Sequence, residues 1–163
     1  MKIKRFEKKD WDKIRDIYKS GIETGIATFE SNLPSWEKFD KDHLDFCRLA
    51  AVENEKIIGW IALSLMNDKD YYSGVAEVSI YIHEDFRNKG VGKVLLQKAI
   101  EDSEKNGLWT LQAKIIEDNI SSIKLHKKCG FKLVGIREKL GRDKNGTFIN
   151  VWLFEKRSEK QGV

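Results

Sequence analysis

Apolar positions recur along the chain with two periods, and the switches between them divide it into elements. Trp11, Ile14, Ile17 and Tyr18 fall at helical spacing, which predicts a helix over about Lys9 to Ser20 after a short strand from Lys2 to Phe6. Arg48–Val52 and Ile57–Leu65 predict two strands joined by a tight turn at Glu53-Asn54-Glu55. Val75–Ile82 predicts a further strand. An amphipathic helix follows from about Gly90 to Lys105, with Val91, Val94, Leu95 and Ala99 on one face, and Asn106-Gly107 ends it. Thr110–Ile115 is expected as a strand and Ser121–Lys128 as a helix stopped by Gly130. Phe131–Leu140 and Thr147–Glu155 are expected as a hairpin across Gly141 to Gly146.

Gly21 to Ser35 has no clean period and holds the single proline, Pro34. So long an irregular connection inside a compact domain is often functional. Ser35 can cap a second short helix through about Asp45. The resulting order, β-α-α-β-β-β-α-β-α-β-β, predicts an α/β chain with a mixed sheet and helices on both faces.

Length and composition narrow the class. The 163 residues suit one domain over residues 1–156, with a polar tail at 157–163 that is expected to fray. Net charge is +4, from 30 Lys and Arg against 26 Asp and Glu, too small an excess to argue for nucleic acid. No apolar run approaches the ~18 residues of a membrane span, and the N-terminus lacks the apolar core of a signal peptide. A cytoplasmic protein with reduced thiols is therefore expected. Cys47 and Cys129 show no metal-ligand spacing, and no metal is expected. Cys129 is expected as a buried helix-end residue rather than a nucleophile, and Trp60, Trp109 and Trp152 as core or interface residues.

The candidate chemistry begins where the Val75–Ile82 strand meets the next helix, in Arg87-Asn-Lys-Gly-Val-Gly92. A glycine turn opening a helix exposes amides that no helical carbonyl can satisfy, and the helix dipole adds positive charge. Together they make a seat for phosphate, flanked here by Arg87, Lys89 and Lys93. The form Arg-x-x-Gly-x-Gly is neither a dinucleotide nor a nucleoside triphosphate fingerprint. A plain helix start explains the same residues about as well. Glu77 is a carboxylate in an otherwise apolar strand. Burial would raise its pKa into the range useful for a base, although on the residues alone a solvent-facing glutamate is the simpler reading.

Four ordered segments carry a resemblance. They are Gly25-Ile-Ala-Thr-Phe-Glu30 with Pro34-Ser-Trp36; Glu77-Val-Ser-Ile-Tyr-Ile82 with Arg87 to Gly92; Asn119-Ile-Ser-Ser-Ile-Lys-Leu-His-Lys-Lys-Cys-Gly-Phe131; and Val134-Gly135 with Gly141 and Gly146. The chain resembles the GCN5-related N-acetyltransferase (GNAT) superfamily, and within it the phosphinothricin and methionine sulfoximine acetyltransferase group. The resemblance implies a mostly antiparallel sheet of about seven strands flanked by about four helices, with a splayed cleft for acetyl-CoA. It implies a pantetheine contact along the backbone of Ser79, Ile80, Tyr81 and Ile82. The diphosphate would sit on Arg87, Asn88, Lys89, Gly90, Val91 and Gly92, with an oxyanion donor near Ile82.

It further implies Glu77 as the base, directly or through water, and His126 as the acid serving the leaving thiol. A histidine packed and bonded locally on its helix is the rival for His126. Asn119 would touch pantetheine or simply cap a helix, and Lys128 would reach a phosphate or simply face solvent. Phe29, Glu30 and Tyr72 are expected to line the acceptor pocket. The loop before the cofactor strand holds Lys69 and Ser73 but none of the arginines common in the group, which argues against phosphinothricin itself. The expected activity is acetyl transfer to a small amino-acid-like primary amine. A protein N-terminal or lysine acetyltransferase and a non-catalytic acyl-CoA-binding module are the alternatives. A homodimer is expected from the resemblance alone.

Overall fold

In the computed structural model, which describes residues 1–163, the strands are β1 (Lys2–Arg5), β2 (Leu49–Glu53), β3 (Lys56–Leu65), β4 (Val75–Ile82), β5 (Thr110–Ile116), β6 (Lys132–Arg142) and β7 (Phe148–Arg157). The helices are α1 (Trp11–Glu23), α2 (Trp36–Asp42), α3 (Val91–Lys105) and α4 (Ile120–Lys128). One sheet runs β1-β2-β3-β4-β5-β7-β6. All neighbours are antiparallel except β4 and β5. The α/β order and mixed sheet are those predicted.

Alternation along the strands splits the core into two layers, one on each face of the sheet. Ile58, Ile61 and Leu63 of β3 join Leu95, Leu96 and Ala99 of α3 and Ile123 of α4. Ile57, Trp60 and Ala62 join Trp11, Ile14 and Ile17 of α1 and Phe39 of α2. A bulge opposite Ala51/Val52 shifts the phase of β3, which is why Ile57 and Trp60 share a face.

Local departures from the sequence pattern have local causes. α1 continues through Gly21 to Glu23, because a Cβ at Gly21 would meet the Tyr81 ring at 2.4 Å and its absence lets the helix lie against β4. The irregular connection is thus residues 24–35. Ser35 caps α2 as expected, accepting from the Lys38 amide. The helix stops at Asp42 because His43 turns extended and the Leu44 amide pairs with the Leu63 carbonyl. The end of the chain is tied down rather than frayed. Ser158 Oγ donates to Glu104 Oε1 at 2.8 Å, and Gln161 Nε2 donates to the Glu104 carbonyl. Cys129 is buried at the end of α4. Burial raises both thiols, Cys47 to about 12, so neither is a ready nucleophile. No helix is long and apolar enough to cross a membrane.

Leu95, fully buried between α3 and the sheet, tests this packing. Leu95→Ala is expected to cost about 2–5 kcal/mol of unfolding free energy, read from urea denaturation. A loss of only about 0.5 kcal/mol, typical of a surface site, would contradict the arrangement.

Candidate active site

β4 and β5 pair only at Val75↔Thr110, Ala76↔Leu111 and Glu77↔Gln112. Beyond that point β4 stays paired to β3 as far as Ile82 and β5 stays paired to β7 as far as Ile116. The two half-sheets therefore diverge, and the outer backbone edge of Ser79–Ile82 has no strand beside it. A cavity of about 640 Å³ opens in the wedge. Glu77, Ser79 and Tyr81 line it from β4, Lys114 from β5, and Asn119, Ser122 and His126 from α4. Thr28 to Glu30 and Asn32 to Pro34 cover it, with Lys38, Asp42 and His43 at the side.

Glu77 sits where the ladder ends. Its side chain is 28% exposed, and Oε2 lies 2.9 Å from Lys114 Nζ and 3.3 Å from Gln112 Nε2. The side chain is neither buried nor fully solvent-facing, because the opening of the sheet brings the carboxylate to a cavity wall. Tyr18 and Tyr81 stand on the same side, ring centroids 4.7 Å apart. Burial pushes both phenols up, so they keep their protons at neutral pH.

His126 is 2% exposed. Its Nδ1 is 2.8 Å from the Ser122 carbonyl one turn earlier. A carbonyl can only accept, so Nδ1 carries the proton and the neutral ring presents a lone pair at Nε2. Nε2 is buried with no partner. Desolvation lowers the pKa of this ring, and the Ser122 carbonyl only partly opposes it. The resting ring therefore has no proton at Nε2 to give, which alters the acid role that the resemblance implied.

The phosphate corner has the expected conformation, with one change. Gly90 is left-handed at φ +85. The amides of Asn88, Lys89, Gly90, Val91, Gly92 and Lys93 donate to no carbonyl. The Arg87 amide is taken by the Glu84 carbonyl. Its guanidinium faces inward, Nε donating to the Ile82 carbonyl and Nη2 to Ser20 Oγ, so Arg87 braces the end of β4 against α1. A Cβ at Gly92 would come within 3.0 Å of Leu125, so glycine there seats α3 on α4.

The remaining expected residues divide. Phe29 and Glu30 line the cavity, and a Cβ at Gly141 would strike the Phe29 ring at 2.6 Å. Tyr72 does not line it. Its ring packs on Tyr71 in a short 3-10 turn, because the 66–75 loop is closed by its own bond from the Met66 amide to the Val75 carbonyl. Asn119 caps α4 through the Ser122 amide and also lines the cavity. Lys128 is exposed on α4, outside the cavity. Sequence reasoning missed Lys114, Tyr18, Lys38 and His43. Alternation along β5 was the available signal for Lys114, since it shares a face with Gln112.

A family profile described as the Acetyltransferase (GNAT) family matches residues 11–131. YwnH of Bacillus subtilis (strain 168) is 32% identical over 141 residues, spanning 83% of this chain and 86% of that protein. The L-methionine sulfoximine/L-methionine sulfone acetyltransferase of Salmonella typhimurium (strain LT2) is 26% identical over 165 residues, spanning 95% and 96%. The crystal structure of a GNAT superfamily phosphinothricin acetyltransferase from Sinorhizobium meliloti in complex with AcCoA superposes with a TM-score of 0.89 at 25% identity. It covers 99% of this chain and 90% of that one.

The two cavity histidines, His126 buried and His43 half-buried, set a pH dependence. Burial lowers the pKa of both His126 and His43, so near and below the ordinary histidine value the unfolded chain binds more protons than the folded one. Stability is then fully present above that value and falls as the pH drops through it. Urea midpoints should decline on acidification from about pH 7.5 to about 5.5, and His126→Gln should flatten the decline. An equal decline in the variant would remove His126 as its source.

Proposed function

The chain belongs to the GNAT family of acetyltransferases and is an acetyl-CoA-dependent N-acetyltransferase, and from this we propose that its acceptor is the primary amine of a small, amino-acid-like molecule. The observation that carries the reading is the covered cavity in which Glu77 meets the open edge of β4. Residues 28–34 roof this space, which suits a small acceptor and crowds out a peptide.

The residues present fit the co-substrate. Six unengaged amides from Asn88 to Lys93 would hold its diphosphate, with Lys89 and Lys93 adding charge. The edge of Ser79–Ile82, open except at the Ile82 carbonyl that accepts from Arg87, would pair with the pantetheine arm, and its N–H groups near Ile82 are the candidate oxyanion donors. When bound, acetyl-CoA supplies an acetyl group activated as a thioester.

Glu77 removes the proton that keeps the acceptor nitrogen from being a nucleophile, directly or through a water. The free amine then adds to the thioester carbon, and as the oxyanion collapses the carbon–sulfur bond breaks. The second proton on nitrogen passes to the leaving sulfur, directly or through water, giving the free thiol of CoA, and the proton on Glu77 passes to solvent. His126 offers Nε2 as a hydrogen-bond acceptor to an N–H or S–H in the cleft. It could protonate sulfur only after taking up a proton itself. We also propose that the protein forms a homodimer. Exposed Leu133, Val134 and Ile136 on the edge strand β6 support an apolar contact there.

A panel of amino acids and their sulfoximine, sulfone and phosphinate analogues, followed by thiol release from acetyl-CoA, tests the reading. Absence of turnover on every member would defeat it. Glu77→Gln is expected to lower kcat by about 100-fold or more while leaving acetyl-CoA affinity nearly unchanged, and full activity in that variant would exclude Glu77 as the base. Gly90→Val isolates the amide seat, because nothing lies within 4 Å of a Cβ there and the added strain falls on φ alone. CoA affinity by calorimetry should weaken about tenfold. Unaltered affinity would show that the turn does not need its left-handed residue.

A further inference from the structure

The cation beside the proposed base has no role in the reading above. Lys114 lies two residues beyond Gln112, the residue opposite Glu77 where the ladder ends. Its side chain reaches back on the same face to place Nζ 2.9 Å from Glu77 Oε2. An acceptor amine must bring its ammonium to that carboxylate, where an ammonium already stands. Two like charges at one carboxylate oppose each other, so an acceptor carrying only an amine has to displace Lys114 and leave it without a counter-ion.

An α-amino acid brings the missing counter-ion with it. Its ammonium can take Glu77 while its carboxylate takes Lys114, so that one ion pair is exchanged for two with no change in net charge. No other cation lining the cavity is as well placed. Lys38 is held by Asp42 of its own helix at 2.7 Å, and Lys69 lies outside. The remaining charged side chains of the lining are carboxylates, Glu30 and Asp42, which would repel an acceptor carboxylate. A lysine suits the exchange. It is a point charge on a flexible stem, without the bidentate fork that fixes an arginine to one carboxylate. Its side chain is 43% exposed, which leaves it free to move.

We propose that Lys114 is a specificity-determining residue that binds the acceptor's carboxylate and selects zwitterionic α-amino acids over plain amines. The inference rests on the assignment of Glu77 and this cavity to the acceptor. The test compares L-methionine sulfone with 3-(methylsulfonyl)propan-1-amine, the same molecule without its carboxylate, by thiol release from acetyl-CoA in the wild type, Lys114→Met and Lys114→Arg. The wild type should favour the amino acid in kcat/KM. Lys114→Met should cut that preference by about 10- to 100-fold, the worth of a bond to a charged group, mainly through KM for the amino acid. Lys114→Arg should restore much of it. Any general effect on Glu77 cancels in the ratio, and calorimetric acetyl-CoA binding checks the fold of each variant. An unchanged preference in Lys114→Met, or a wild type that favours the plain amine, overturns the proposal. A wild type that acetylates neither compound nor any amine of the wider panel removes the small-amine reading beneath it, a separate result.

Discussion

The site depends on one interruption of backbone pairing. β4 and β5 run side by side for three residues and then part. Neither strand frays, because each is held along its other edge, β4 by β3 and β5 by β7. The result is a rigid wedge between two intact half-sheets. Unpaired backbone groups away from water are costly, so an open edge persists where water or a ligand can reach it. The helix that follows β4 adds a second set of unengaged donors, from Asn88 to Lys93. Arg87 joins the two, since its guanidinium fixes the Ile82 carbonyl and α1 at the point where the strand ends.

Electrostatics inside the wedge are simpler than the number of polar groups suggests. Burial keeps Tyr18 and Tyr81 protonated and His43 and His126 neutral. The charge within reach of the open edge is then the Glu77–Lys114 pair, with Glu30, Lys38 and Asp42 on the covering side. A single ion pair at the mouth of the splay makes the resting site neutral there. Each incoming charged group is therefore weighed against a partner already present.

Much of this was legible in the sequence because it rests on local rules. β4 has the predicted limits, Ser35 and Asn119 are caps, and Gly90 takes the left-handed turn that opens α3. Other features depend on contacts that no local pattern encodes. Lys114 reads as an exposed position on an alternating strand and enters the site only because the neighbouring strand departs. Tyr72 is close to β4 in sequence, yet its loop closes on itself and keeps the ring outside the cavity. The direction of the His126 proton follows from a helix carbonyl four residues back. That geometry could have been anticipated, but the burial that leaves Nε2 alone could not.

The roof shows how far such dependence extends. Phe29 can lie over the cavity because Gly141 presents no side chain beneath it. Gly141 reaches that position through a bulge, in which residues 138–140 of β6 face the single residue Asn150 of β7. Lys139 turns left-handed within the bulge, and its amide is taken by Asn150 Oδ1. The same Asn150 donates to Glu117 at the end of β5. One side chain therefore links the bulge that seats the roof to the strand that forms the far wall of the wedge. The height of the roof and the width of the wedge are coupled through Asn150 and Glu117, neither of which lines the cavity.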